Sequence, residues 1–181
     1  VDQRTRLLEA ALFAAPRPLA LDELAALDAE ATDADWLGAV QELREHYDNE
    51  GHGVEVAEIA GGYQVVTRPA FAEAIERAAF AARPVRLSAA ALEVLAIIAY
   101  RQPAGRAEVE EIRGVSSAGV LRLLQERGLI EVTGRSEGLG RPLLYATTPM
   151  FLEYLGLGDL GDLPRSEELS IALTPPQEAA G

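Results

Sequence analysis

Residues 87–157, LSAAALEVLAIIAYRQPAGRAEVEEIRGVSSAGVLRLLQERGLIEVTGRSEGLGRPLLYATTPMFLEYLGL, decide how the chain folds. Ser88 can cap a helix that runs to about Arg101, and Pro103 ends it. On a helical wheel Ala91, Leu92, Leu95 and Ala99 gather on the inward side with Ile98 at its edge. Glu93, Ile97 and Arg101 form the opposite stripe, with Tyr100 beside it. A short helix over Arg106–Ile112 follows, with Val109 and Ile112 inward and Gly114 as its stop. Ser116 or Ser117 starts a third helix carrying Val120, Leu121 and Leu124, which Gly128 ends. Ile130–Arg135 and Leu143–Thr147 alternate as the strands of a hairpin, and Pro149 opens a last short helix through Phe151, Leu152 and Leu155.

The preceding residues repeat this order. Arg4–Ala15 reads as a helix with Leu7, Leu8, Ala11, Leu12 and Ala15 on one face, stopped by Pro16 and Pro18. A short helix over Leu21–Leu27 places Leu21, Leu24 and Leu27 inward. Asp33 is expected to cap a third helix to about Asp48, packed through Trp36, Val40, Leu43 and Tyr47. Val54–Ile59 and Tyr63–Thr67 make a hairpin about Gly61-Gly62, and Pro69 starts a helix to about Ala82. The halves also match residue by residue. Leu12, Pro18, Glu23, Leu24 and Leu27 fall 85 positions before Ile97, Pro103, Glu108, Val109 and Ile112. Thr67–Glu73 falls 80 positions before Thr147–Glu153.

An internal duplication explains both sets of matches. The expected fold is mainly α with small β-hairpins (α+β): two tandem winged helix-turn-helix domains, 1–83 and 84–157, divided near Arg83-Pro84. Residues 158–181 form an acidic tail, expected to be disordered beyond about Pro164. Units of this size bury only about 60% of their unfolded surface, so each is marginal alone.

Composition excludes several chemistries. There is no cysteine, hence no disulfide, thiolate metal site or cysteine nucleophile. His46 and His52 lack a recognisable acidic metal motif. No apolar run approaches the roughly 20 residues that span a bilayer, so the expected compartment is the cytoplasm. All 16 basic residues are Arg, and the net charge of −13 is uneven. Residues 1–83 carry seven Arg against sixteen acids, a net −9, whereas residues 84–155 are neutral and the remainder carries −4. The first unit therefore repels a polyphosphate and is a poor duplex-binding surface.

No constellation reads as catalytic. Gly134–Arg141 has the glycines of a phosphate loop, but a strand follows it where a phosphate cradle needs a helix N-terminus. It reads as a hairpin loop flanked by Arg135 and Arg141. The third helix of the second unit offers Arg122, Gln125, Glu126 and Arg127, a thin set for reading bases. Glu108, Glu110 and Glu111 sit among Arg106 and Arg113 as helix-surface ion pairs. No cofactor is implied. The helix Ser88–Arg101 is apolar almost all round, so Ile97 and Tyr100 either pack internally or receive a partner's segment.

LSAAALEVLAIIAYRQP, RAEVEEIRGV, LLQERGLIEVTGR, GRPLLYATT and FLEYLGL closely resemble the bacterial segregation and condensation protein B family. The resemblance is dense across 87–157 and looser in 1–83; Gly105 stands where Ser or Thr is usual, and Leu155 where Phe is common. It implies a non-enzymatic accessory subunit of the bacterial condensin-type complex, acting in chromosome condensation and partition during cell division. Such proteins form homodimers chiefly through the first winged-helix domain. They bind a kleisin, segregation and condensation protein A, and through it join a structural-maintenance-of-chromosomes ATPase. The implied setting is cytoplasmic and nucleoid-associated, with DNA contact indirect or weak. Motif residues with exposed-type side chains match Tyr100, Gln102, Arg106, Glu110, Arg113, Arg141 and Pro142, which with Ile97 are the candidate partner-binding residues. The alternative on the same fold is a dimeric winged-helix DNA-binding transcriptional regulator.

Overall fold

In the computed structural model, which describes residues 1–78, 86–137 and 140–165, the chain is a mixed α/β protein with small antiparallel sheets. The first group of elements is α1 (Gln3–Ala14), α2 (Leu21–Leu24), α3 (Asp33–Asn49), β1 (Val54–Ile59), β2 (Gly62–Thr67) and α4 (Ala72–Ala78), with a 3-10 turn at Pro69–Phe71. The second is α5 (Ala89–Arg101), β3 (Ala104–Gly105), α6 (Arg106–Arg113), α7 (Ala118–Glu126), β4 (Ile130–Arg135), β5 (Leu143–Thr147) and α8 (Pro149–Leu155). A 3-10 turn at Leu160–Asp162 follows. The expected continuation of α4 to Ala82, the boundary at Arg83-Pro84, the loop tip Gly138-Leu139 and the tail beyond Arg165 lie outside the described residues.

Each group has its own core. In the first, Leu8 and Leu12 of α1 meet Trp36, Val40, Leu43 and Tyr47 of α3, with Leu24, Val56 and Tyr63 filling between them. Thr32 caps α3 instead of the expected Asp33: its hydroxyl accepts from the Asp35 amide while the Asp35 carboxylate accepts from the Thr32 amide at 2.8 Å. This reciprocal pair satisfies two amides at once, whereas Asp33, one residue inside the helix, contributes only its charge near the positive end.

The hairpin turns at Ala60-Gly61, one residue earlier than expected. Both residues have positive φ, 51° and 73°, the pattern of the type I′ turn that matches strand twist. Gly62 belongs to β2 and serves close approach. Leu19 and Tyr63 exchange two backbone hydrogen bonds of 2.9 and 2.8 Å beside it. A Cβ on Gly62 would lie 2.9 Å from the Leu19 carbonyl carbon and oxygen.

In the second core, Ala91, Val94, Leu95, Ile98 and Ala99 of α5 pack on Val109, Leu121, Leu124, Leu129, Tyr145 and Phe151. The inward stripe is thus centred on Val94 and Ile98, and Leu92, expected inside, is 45% exposed. Positions 91, 94, 95, 98 and 99 follow the full helical stripe, which leaves Leu92 at its flank. The strand β3 is new relative to the sequence reading: its two residues pair with β5, giving the order β3-β5-β4. Its counterpart in the first group is the Leu19–Tyr63 bridge, 85 positions before Ala104.

Matched positions share some environments and diverge in others. Leu24 and Val109 are both fully buried; Leu27 and Ile112, both expected inward, are 40% and 52% exposed. A helix of one or two turns lying on a core buries one row only, so the second row stays outside. Phe71 is half exposed, whereas its match Phe151 is 1% exposed and completes the second core. The third helix shrinks from 17 residues in α3 to 9 in α7, and the hairpin loop is longer in the second group.

Two glycines give opposite predictions. Gly62→Ala forces its methyl into the Leu19 backbone and is expected to cost about 1–3 kcal/mol in denaturant unfolding. Gly38→Ala, mid-helix in α3 with open space around it, is expected to stabilise by about 0.5–1 kcal/mol.

Candidate partner-binding surfaces

Large apolar side chains are left uncovered on two faces. On the first group, α1 carries Leu8 and Leu12 inward, which turns Phe13 outward, where it is 85% exposed. Phe13 stands at a groove of about 590 Å³ between α1 and the hairpin, floored by Leu12, Val54 and Val65. A second hollow of about 460 Å³ is lined by Gly53, Val54, Phe71 and Ile75. The Phe71 ring lies over Gly53, where an added Cβ would meet it at 3.4 Å. Within the first groove the Tyr47 hydroxyl donates to Glu9 Oε1 at 2.9 Å. Burial, and then that acceptor, push the Tyr47 phenol up to about 12, so it remains a neutral donor at any ordinary pH.

On the second group the uncovered residues include Leu92 and Tyr100 of α5, Ile112 and Val115 at the end of α6, and Met150, Tyr154 and Leu155 of α8. Tyr100 is 47% exposed and its hydroxyl donates to the Pro164 carbonyl at 2.6 Å. Ile97 is half-buried against the second core.

The other sequence candidates divide by what they bind inside the chain. Gln102 Oε1 accepts from the Thr147 amide at 2.8 Å and the Thr147 hydroxyl at 3.0 Å, while its Nε2 donates to the Ala99 carbonyl. It ties the end of α5 to β5. Arg113, with a side chain only 9% exposed, donates to Glu93 at 3.1 Å and to the Ser117 hydroxyl at 3.0 Å. Glu110 accepts from the Ser117 amide at 2.9 Å, from the Ser116 hydroxyl at 3.2 Å, and pairs with Arg106 at 3.4 Å. The Ser117 amide, then the Ser116 hydroxyl and Arg106, hold the Glu110 carboxyl below its ordinary 4.5. Arg141 takes a positive φ of 44°, and its carbonyl accepts from Arg135 Nη1 at 3.2 Å. The Pro142 carbonyl accepts from the Ser136 amide at 2.9 Å. Ile97, Tyr100 and Arg106 lie along α5 and the start of α6, and Arg141 and Pro142 lead into β5, whose Leu144 pairs with Gly105 just before Arg106.

Phe13 and Phe71 were not among the sequence candidates. An aromatic placed off the buried stripe was the available signal for Phe13. Among the described residues no group of three His, Cys, Asp or Glu is placed to hold a metal ion. Nor is any described helix long and apolar enough to cross a membrane.

Comparison with known proteins matches residues 6–166 to the family model "Segregation and condensation complex subunit ScpB". The chain is 49% identical over 175 residues to segregation and condensation protein B of Moorella thermoacetica, covering 96% of this chain and 88% of that protein. It is 34% identical to the crystal structure of ScpB from Mycobacterium tuberculosis, over 87% of this chain and 98% of that one, with a TM-score of 0.40. A crystal structure described as a dimer of the ScpB N-terminal domain complexed with ScpA peptide is 26% identical, over 44% of this chain and 92% of that one, with a TM-score of 0.39.

Glu110 gives the pH prediction of this surface. Because its folded value is depressed, its stabilising contribution is present above pH 4.5 and lost as pH falls through the lowered value. Glu110→Gln is expected to lower the urea midpoint at pH 7, with the gap from the native chain closing on acidification. A gap that stays constant from pH 7 to pH 3 would contradict this.

Proposed function

The chain belongs to the ScpB family of segregation and condensation complex subunits, and on that premise we propose that it is a non-enzymatic scaffold of the condensin-type complex. In this reading residues 1–83 and 84–157 are tandem winged-helix domains. The first makes a homodimer, and the second presents α5 to the kleisin ScpA, through which the chain joins the chromosome-organising ATPase in the cytoplasm. Ile97, Tyr100 and Arg106 are the partner contacts; Gln102, Glu110 and Arg113 fix α5 and α6 against their neighbours.

One observation carries the scaffold reading: large apolar side chains are left uncovered on both units, while among the described residues no His, Cys, Asp or Glu cluster is placed to hold a metal ion. Exposed apolar surface of this kind fits protein partners. The dimer is assigned to the first face because Phe13 and Phe71 each border a hollow there, with Val54 lining both. The second group fills the matched position with Phe151 and closes its own core. The net charge of −9 over residues 1–83 argues against duplex DNA as the ligand of this unit.

Two measurements test the assignment. Sedimentation of Phe13→Glu, a change at a solvent-facing position, is expected to give a monomer with an unchanged circular dichroism spectrum; a native-like dimer would remove the first face from the interface. Calorimetry of Tyr100→Ala with the ScpA segment is expected to show binding weakened about tenfold or more, as for an aromatic anchor. Unchanged affinity in a folded variant would move the kleisin site elsewhere.

A further inference from the structure

We propose that residues 157–164 are an intrachain clasp that holds the two units in one relative orientation, and that a partner seating on Tyr100 opens it; the second half rests on the kleisin surface assigned above. Sequence reading placed this stretch in an acidic tail, but the structure gives it a defined path across both units.

The clasp begins where α8 stops. Gly156 takes a left-handed φ of 68°, and the amides of Gly156 and Leu157 bond back to the Glu153 and Leu152 carbonyls. The chain beyond therefore leaves the helix with its own carbonyls free. Leu157 and Gly158 spend theirs on the first unit: the Ala60 amide donates to the Leu157 carbonyl at 2.8 Å, and the Gly61 amide to the Gly158 carbonyl at 3.0 Å. Those two amides are available because the residues turn the β1–β2 hairpin and sit outside its ladder, which closes at Ile59–Gly62.

Asp159 and Asp162 then shape the segment. The Asp162 carboxylate accepts from the Gly158 amide at 2.9 Å and the Asp159 amide at 3.1 Å, and Asp159 accepts from the Gly161 amide. Gly158 allows this closeness, since an added Cβ would lie 3.0 Å from the Asp162 carboxylate. The far end fastens on the second unit: Leu163 packs on its core and the Pro164 carbonyl accepts from the Tyr100 hydroxyl. One end of the clasp thus holds the first unit's turn, and the other covers the residue assigned to the partner. A ligand that takes Tyr100 competes with Pro164, so its binding and the inter-unit hold oppose each other with equal and reciprocal energy.

Hydrogen–deuterium exchange on the full chain tests this. Asp162→Ala removes the shaping carboxylate at an exposed position. It is expected to speed exchange at the Ala60 and Gly61 amides by about tenfold or more, while Tyr63 and the core amides keep their rates. Tyr100→Phe, which deletes only the hydroxyl, is expected to shift the same two amides in the same direction by a smaller factor. Adding the ScpA segment to the native chain, with binding followed by calorimetry, is expected to speed those amides as the complex forms. Ala60 and Gly61 exchanging equally fast with and without Asp162 would overturn the clasp. Binding with their protection intact would overturn the coupling and leave the partner assignment standing. No binding at all would overturn both the assignment and the coupling.

Discussion

Arg113 is the hinge-pin of the second unit. Its guanidinium, almost withdrawn from solvent, reaches Glu93 on α5 and Ser117 at the head of α7 from its own place at the end of α6. Glu110, one turn earlier, receives the Ser117 amide. Three helices are thereby fixed around a buried serine that has no apolar contribution to offer. Such a charged group, removed from water, is tolerated because Nε meets the Glu93 carboxylate and Nη1 the Ser117 hydroxyl, and deleting one partner leaves the other stranded. The consequence is geometric: Arg113 holds α5 through Glu93 on its outward stripe, and Gln102 at its end binds Thr147 of β5, so the helix that carries Leu92 and Tyr100 is fixed at both places.

On the proposed reading the duplicated plan serves two uses. Both copies keep a fully buried residue on the short helix, Leu24 and Val109, and a strand-like contact before it, at Leu19 and at Ala104. They part at the last helix, where one phenylalanine seals a core and its match lies half in solvent. A small core that leaves an aromatic outside gains from burying it against a second surface. That difference, arising from one matched pair, is why we assign assembly to the first unit and partner presentation to the second.

Much of this was legible in the sequence, and what was not has physical reasons. The long helices and the strands of both hairpins follow from period, because burying one face imposes a repeat that few other arrangements share. The cap of α3 was displaced by one residue because Thr32 and Asp35 satisfy each other, a pairing that a local preference for Asp33 does not weigh. β3 was invisible because two residues carry no alternation. Leu27 and Ile112 have the spacing of core residues, yet a short helix has only one row to bury. Gln102, Glu110 and Arg113 are polar side chains whose types do not say whether they face solvent or a neighbouring helix; only the fold supplies Thr147, Ser117 and Glu93. The path of residues 157–164 left no pattern at all, since its grip on the first unit is made by backbone carbonyls.

The native mass of the full chain mixed with ScpA decides between a dimeric scaffold and any solitary role. The expected species contains two copies of this chain and carries ScpA, and it persists at physiological salt. A single copy that leaves ScpA free would contradict the scaffold reading.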